Sequence, residues 1–235
     1  MNLTDENLPI IRLIHVQKFC VDKRNLMLEG LKREHCWMGV TSVVLFLLMM
    51  GTALGAELDV RNRVTKGTLE FGFLTGYWQG NNAFNNEPSA NRSAVYFLPQ
   101  LGQVLTDQIG SGWASGNVEI LIEPLAAHYY QPFSASAFGG SLVVKYNFLD
   151  FGRWMPFWDA GAGMLWTDLA PRIPEQSTQF NFVLQTGPGV SYFVTENMAV
   201  TFGIRFHHIS NAGIGNRNIG LNGCLFNVGI SFFTP

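Results

Sequence analysis

The sequence predicts an all-β fold, an eight-stranded antiparallel transmembrane β-barrel, and three observations lead to that prediction. Only 14% of the residues are charged, against about 25% in an ordinary soluble domain, whereas 47% are hydrophobic. Segments in which apolar and polar residues alternate recur along the chain, separated by turn residues, as they do in membrane barrels. Beyond the N-terminal region no stretch approaches the roughly 18 to 20 continuous apolar residues that a transmembrane helix requires.

Eight segments alternate with a period of two residues and are bounded by residues that favour turns. The predicted strands cover residues 67–79, 92–104, 116–129, 136–149, 155–166, 178–193, 197–210 and 221–233. Eight is the smallest number of strands found in bacterial outer-membrane barrels. These segments therefore suffice for one closed barrel.

The charged residues of the predicted strands fall on the face opposite the apolar one. They are Glu70, Glu119, Glu123, Lys145 and Arg205. Alternation alone does not say which face is inside, because a soluble lipocalin-like barrel would carry apolar residues inside and charges outside. The scarcity of charge and the density of aromatic residues favour the membrane barrel, in which an apolar exterior surrounds a polar, packed interior.

Aromatic residues occur near many of the predicted strand ends. Membrane barrels carry girdles of aromatic side chains at the level of the lipid headgroups, where the polar end of an amphipathic ring contacts water. We predict such interfacial positions for Tyr77, Trp78, Trp113, Tyr129, Tyr130, Trp154, Trp158 and Trp166.

The segment from Met38 to Ala56 has the composition of a secretory signal. It is mostly apolar, follows two basic residues and closes with small residues. An N-terminal membrane anchor is the alternative interpretation, and Met27 is a candidate for the true start because a signal begins close to its basic region. We predict that residues 1–56, an N-terminal extension plus signal peptide, are removed, and that residues 57–235 form one outer-membrane β-barrel.

Cysteine positions and net charge limit the classes of function. Cys20 and Cys36 precede the predicted cleavage, so only Cys224 would remain and no internal disulfide could form in the mature chain. The net charge of −2 and the absence of a basic stripe argue against nucleic-acid binding. The sequence contains neither a zinc-like histidine spacing nor a glycine-rich phosphate fingerprint, so we expect no metal and no cofactor.

The seventh predicted strand ends with two residues that can perform chemistry. His208 and Ser210 share its apolar face, and their Cα atoms would lie roughly 6.5 to 7 Å apart. If the last two strands pair as a hairpin about residues 214–216, Asn222 lies opposite His208. A serine hydroxyl becomes a nucleophile when an imidazole takes its proton, although a His-x-Ser pattern on a strand is usually structural.

The segment HISNAGIGNRNIGLN, which runs from His208 to Asn222, resembles the signature of the lipid A 3-O-deacylase (PagL) family of outer-membrane barrels. The residues that match in the family's order and spacing are His208, Ser210, Asn211, Ala212, Gly213, Asn218 and Gly220. In the rest of the chain, the resemblance to the family is limited to the overall architecture and to segments rich in Gly and aromatic residues.

This resemblance implies a serine esterase, without cofactor, that hydrolyses the ester-linked 3-hydroxyacyl chain at the 3-position of lipid A. Ser210 would be the nucleophile and His208 the general base. The turn would help to form an oxyanion hole, for which the N–H groups near Gly213 and the side chain of Asn218 are candidates, with Asn211 bracing the turn.

The sequence departs from the family pattern at Asn222, where the best-known member has a Glu that orients the histidine. An asparagine can accept a hydrogen bond from the Nδ1 proton, but it cannot stabilise the imidazolium by charge. With both termini on the periplasmic side, His208 and Ser210 would lie at the outer-leaflet end of the barrel wall and face lipid. The expected partners are lipid A in the Gram-negative outer membrane and membrane lipid, and a homodimer is compatible with the sequence.

Two other functions stay open at this point. A non-catalytic small barrel, used for adhesion or structure, would bind a partner through its extracellular loops. The change Ser210→Ala would then alter only local contacts. A lumenal acyltransferase or lipid-binding barrel would need an apolar pocket inside, and the inward-facing glutamates argue against it.

Overall fold

The computed structural model describes residues 58–81 and 92–234. The predicted N-terminal extension and signal peptide, residues 1–56, lie outside the described residues, as do Cys20 and Cys36. Within the described ranges no helix is long and apolar enough to cross a membrane.

The described residues contain eight strands that form one closed antiparallel barrel, in which each strand pairs with its neighbours in the chain and the last pairs with the first. The strands are β1 (Leu69–Asn81), β2 (Ser93–Val104), β3 (Gly116–Gln131), β4 (Ala135–Phe148), β5 (Trp154–Thr167), β6 (Phe180–Phe193), β7 (Met198–Ser210) and β8 (Leu221–Thr234). All eight predicted strands are confirmed, since alternation and turn residues mark both the face and the ends of each strand.

The exterior of the barrel is apolar. Phe73, Leu142 and Leu184 are each more than half exposed, at 56%, 54% and 55%, and their neighbours along each strand point inward. A large apolar surface of this kind would be unstable in water and is the lipid-facing band of a transmembrane barrel. The described residues therefore form a transmembrane β-barrel, and the lipocalin-like arrangement is wrong.

The middle of the lumen is charged, and each of its two cations lies between two carboxylates. Arg205 contacts Glu123 at 2.8 Å and Asp159 at 2.7 Å, and Lys145 lies between two further carboxylates. Because water is scarce inside an eight-stranded barrel, these charges must be paired within the protein. The charged residues whose predicted inward position is confirmed are Glu70, Glu119, Glu123, Lys145 and Arg205.

Apolar side chains close the lumen on both sides of the charged layer. The inner cluster lies at the end where the described chain begins and finishes, and consists of Val60, Val64, Val104, Leu149, Met155, Phe193, Ala199 and Phe233. The outer cluster lies at the opposite end and includes Leu74, Trp78, Tyr96, Tyr129, Leu169, Ile173, Val183 and Ile209. Outer-membrane barrels have short turns on the periplasmic side, so we call the first end inner and the second outer.

The interfacial prediction is wrong for Trp78 and Tyr129, which are fully buried inside the barrel. Their rings pack edge to face with centroids 5.8 Å apart. Proximity to a strand end predicts how deep a residue lies in the membrane. Its odd or even position along the strand decides whether the side chain faces the lumen or the lipid, and both residues occupy positions that face the lumen. The predicted girdle residues that are exposed are Tyr77, Trp113, Tyr130, Trp158 and Trp166.

Candidate active site

The predicted hairpin of β7 and β8 is present. The register pairs His208 with Asn222 and Ile209 with Leu221, which centres the turn on Gly215. His208 and Ser210 are half-buried and have the same outward parity as Ile204, which is 50% exposed on the barrel wall. Since β7 ends at Ser210, both side chains lie on the outer wall at the outer end of the barrel.

Asn222 fixes the ring of His208. Nδ1 of His208 and Oδ1 of Asn222 are 2.6 Å apart, and Asn222 is only 2% exposed. An amide oxygen accepts hydrogen bonds and cannot donate them, so the proton of the neutral imidazole must be on Nδ1. That tautomer leaves a lone pair on Nε2, which is the form that a general base requires.

The backbone of Gly220 packs close to the same imidazole. A Cβ atom placed on Gly220 would lie 2.8 Å from Cε1 of His208, and Gly220 has a φ of +84°. Any other residue would therefore crowd the ring and also strain the backbone. Glycine at this position lets the turn approach His208 without displacing it.

Ser210 is paired with Phe182 of β6 at the last position of the β6–β7 ladder. Within the described part of the chain no hydrogen bond joins its hydroxyl to the ring of His208. The two side chains project from the same face two residues apart, which is the placement that the sequence predicts. Catalytic hydrogen bonds in ligand-free enzymes are often long and tighten when substrate binds.

The turn from Asn211 to Gly220 is held by its own asparagines. The fully buried Asn211 accepts from the N–H of Gly213 through Oδ1 at 3.0 Å and donates to the carbonyl of Arg217 through Nδ2 at 2.8 Å. Oδ1 of Asn218 accepts from the N–H of Asn211 at 2.8 Å. The N–H of Gly213, a predicted oxyanion donor, is thus engaged by Asn211 in this structure.

The same contacts orient the amide of Asn218. Its Oδ1 accepts from the N–H of Asn211, which restricts rotation of the amide, and the side chain is exposed. Ala212, two residues after Ser210 in the chain, has a φ of +51°. No other residue except glycine among those described lies in the left-handed region. Such a conformation costs roughly 1 to 2 kcal/mol and persists only where surrounding bonds fix it.

An apolar groove of about 600 Å³ crosses the outer wall beside the site. Its floor contains the small side chains of Ala160 and Ala162 on β5, and Leu184 and Phe206 line it as well. Leu184 is the register partner of His208, and Phe206 precedes His208 by two residues on the same face. The groove therefore lies on the lipid-facing wall, beside the strand position of His208.

Sequence reasoning predicted a loop between β5 and β6 but missed that this connection, residues 168–179, contributes to the site. Its residues 175–177 contact the back of the β7–β8 turn, and the carboxylate of Glu175 pairs with Arg92. Loop contacts of this kind have no periodic pattern, and the only sequence signal is an acidic residue among prolines.

Among the described residues no three His, Cys, Asp or Glu side chains are arranged to hold a metal ion.

Comparison with known families gives one match that covers most of the chain. The model of the family described as lipid A 3-O-deacylase (PagL) matches residues 51–231. No curated protein matches the chain.

Solved structures with a similar barrel include the outer-membrane enzyme PagL, with 16% identity and a TM-score of 0.49, covering 69% of this chain and 98% of that one. Neisserial surface protein A (NspA) is 16% identical with a TM-score of 0.46, covering 71% of this chain and 99% of that one. The N-terminal barrel domain of Pseudomonas aeruginosa OprF is 14% identical with a TM-score of 0.44, covering 72% of this chain and 99% of that one.

Proposed function

The chain belongs to the lipid A 3-O-deacylase (PagL) family of hydrolases, and from that premise we propose that Ser210 and His208 hydrolyse the ester of the 3-linked 3-hydroxyacyl chain of lipid A. The observation that carries the residue assignment is the 2.6 Å contact of His208 with Asn222, on the face from which Ser210 projects. A histidine held by its Nδ1 proton beside a serine is the arrangement of a serine hydrolase.

In the proposed reaction, Nε2 of His208 takes the proton of the Ser210 hydroxyl as Oγ attacks the ester carbonyl. The tetrahedral intermediate collapses when the imidazolium gives that proton to the leaving sugar oxygen, which leaves an acyl-enzyme. Water, activated by the same imidazole, then hydrolyses the acyl-enzyme and releases the 3-hydroxy fatty acid. Asn222 keeps the ring in the required tautomer throughout.

Asn218 is our proposed oxyanion donor. Its Oδ1 is held by the N–H of Asn211, which fixes the amide while its Nδ2 group is the part left to donate to a substrate. A preoriented donor stabilises the developing charge without reorganising during the reaction. Asn211 and Gly213 bond each other instead and brace the turn, which assigns them a positioning role.

The outward position of the site suits a lipid substrate. Lipid A lies in the outer leaflet, so its ester can reach Ser210 from the side of the barrel without leaving the membrane. The groove beside Leu184 and Phe206 is apolar, and its volume of about 600 Å³ suits it to receive an acyl chain. The chain would then lie along the wall with its carbonyl next to the imidazole.

The change Asn222→Asp is expected to raise kcat by about tenfold. The shape of the side chain is retained, but a carboxylate stabilises the imidazolium by charge, and a factor of ten corresponds to about 1.4 kcal/mol of transition-state stabilisation. The measurement is the rate of 3-hydroxy fatty acid release by purified protein, with Asn222→Leu as the variant that loses the acceptor. An Asn222→Asp enzyme slower than the unmodified chain would contradict the role assigned to this contact.

The test of the proposed function is mass spectrometry of lipid A from cells that express the chain, the Ser210→Ala variant or the Ser136→Ala variant. Ser136 is a suitable control because it is also a half-buried, outward-facing serine at the outer end of its strand. Loss of one 3-hydroxyacyl group with the unmodified chain and Ser136→Ala, but not with Ser210→Ala, supports the proposal. Unchanged lipid A with all three folded proteins favours a non-catalytic barrel.

A further inference from the structure

The connection between β5 and β6 forms a short antiparallel pairing with the proposed catalytic turn. The N–H of Ile219 donates to the carbonyl of Glu175 at 3.1 Å, and Gln176 and Asn218 form a β-bridge. The hydroxyl of Ser177 donates to the carbonyl of Arg217 at 3.2 Å and accepts from its N–H at 3.1 Å. Residues 175–177 therefore support the turn from behind, on both sides of Asn218.

Gln176 contacts the catalytic strand as well as the turn. Its side chain is fully buried, and Nε2 donates to the carbonyl of Ile209 at 3.2 Å. Ile209 is the residue between His208 and Ser210. One glutamine thus contacts the peptide that joins the proposed base to the proposed nucleophile, while its backbone pairs with the proposed oxyanion donor.

The segment that carries Gln176 is anchored to the opposite part of the barrel. The guanidinium of Arg92, next to β2, donates to the Glu175 carboxylate through Nε at 3.0 Å and through Nη2 at 2.6 Å. Both side chains are buried, at 7% and 1% exposed. Two parallel charge-assisted bonds fix the position and direction of the carboxylate. Leu169 and Ile173 of the same connection pack in the outer cluster.

We propose that Gln176 is a positioning residue of the deacylase site, holding His208, Ser210 and Asn218 in one geometry through the Ile209 carbonyl and the Asn218 backbone. This inference rests on the proposed function. Gln176 does not touch the substrate, so its effect is on the alignment of reacting groups and not on substrate affinity. Misplacement of a reacting group by about 1 Å can lower a rate by about a hundredfold, and loss of one of several supports should cost less.

The test compares Gln176→Met with Gln100→Met in the purified full chain. Methionine keeps the length of the side chain but removes the amide. Gln100 is the matched control because it is a buried lumenal glutamine that donates to Glu123, on a strand remote from the turn. For both variants, kcat and KM for deacylation, the thermal unfolding midpoint and the rate at which a fluorophosphonate labels Ser210 are measured.

The expected result is a kcat about tenfold lower for Gln176→Met, with KM within about twofold and slower fluorophosphonate labelling, but with an unfolding midpoint no lower than that of Gln100→Met. A Gln176→Met enzyme with unchanged kcat, or an equal loss in Gln100→Met, would overturn the inference. Ser210→Ala is assayed in parallel, so that failure of the proposed function can be distinguished from failure of the positioning role. An active Ser210→Ala enzyme overturns the proposed function, whereas an inactive one with a fully active Gln176→Met enzyme overturns the positioning role alone.

Discussion

Replacement of His208 by glutamine is expected to lower kcat for deacylation by roughly 10² to 10⁴-fold, the range that general acid and base catalysis contributes. Glutamine retains a polar side chain at the position, but it cannot take the Ser210 proton or return it to the leaving oxygen. KM should change little because the role proposed for the imidazole is in the reaction of the ester and not in the binding of the lipid. The measurement is steady-state release of 3-hydroxy fatty acid, quantified by mass spectrometry.

His207 provides the matched control for this substitution. It is the preceding residue, it is 1% exposed, and its ring lies inside the barrel against Tyr96, with centroids 5.4 Å apart. His207→Gln removes an imidazole from the same strand but from the opposite face, and kcat should stay within about threefold. An equal loss of kcat in both variants would mean that the strand, and not the outward imidazole, is what the reaction needs.

Replacement of Arg205 by methionine is expected to lower the free energy of unfolding by about 3 to 5 kcal/mol. Arg205 donates to both oxygens of Glu123 and to both oxygens of Asp159, at 2.7 to 3.1 Å. Without the guanidinium, two carboxylates remain in the lumen with no cation between them, and the scarcity of water in the interior makes that costly. The measurement is the urea midpoint of the barrel in detergent micelles, followed by its mobility shift in unheated gels.

A charge-free variant distinguishes this electrostatic explanation from a loss of packing. Combining Arg205→Met with Glu123→Gln and Asp159→Asn removes the cation and both anions while nearly preserving side-chain volume. Most of the lost stability should return, because the single substitution is costly chiefly through the uncompensated charges that it leaves. If the triple variant is no more stable than Arg205→Met, packing of the arginine stem explains the effect instead.

The strands and the pairing of His208 with Asn222 could be predicted from the sequence for physical reasons. Side chains on a strand alternate between two environments, and a lipid exterior around a charged lumen makes those environments very different. The hairpin register then follows from the position of the turn, since residues equidistant from Gly215 must pair. Short-range periodicity thus placed two of the proposed catalytic residues opposite each other.

The rest of the site depends on contacts that no periodicity encodes. The approach of Gln176 to Ile209 depends on the path of a loop with irregular backbone and on an ion pair across the barrel. The nucleophile, the base and the oxyanion donor remain predictions for the experiments above.

The location of His208, Ser210 and the groove on the outer wall has a kinetic consequence. An enzyme whose active site opens sideways into a bilayer encounters its substrate by two-dimensional diffusion, so the concentration that governs its rate is the number of lipid A molecules per unit area. Diluting the same lipid with detergent lowers that density and slows turnover even when the bulk concentration is constant. For the proposed site, lateral packing of the leaflet, and not solubility in water, then sets the supply of substrate.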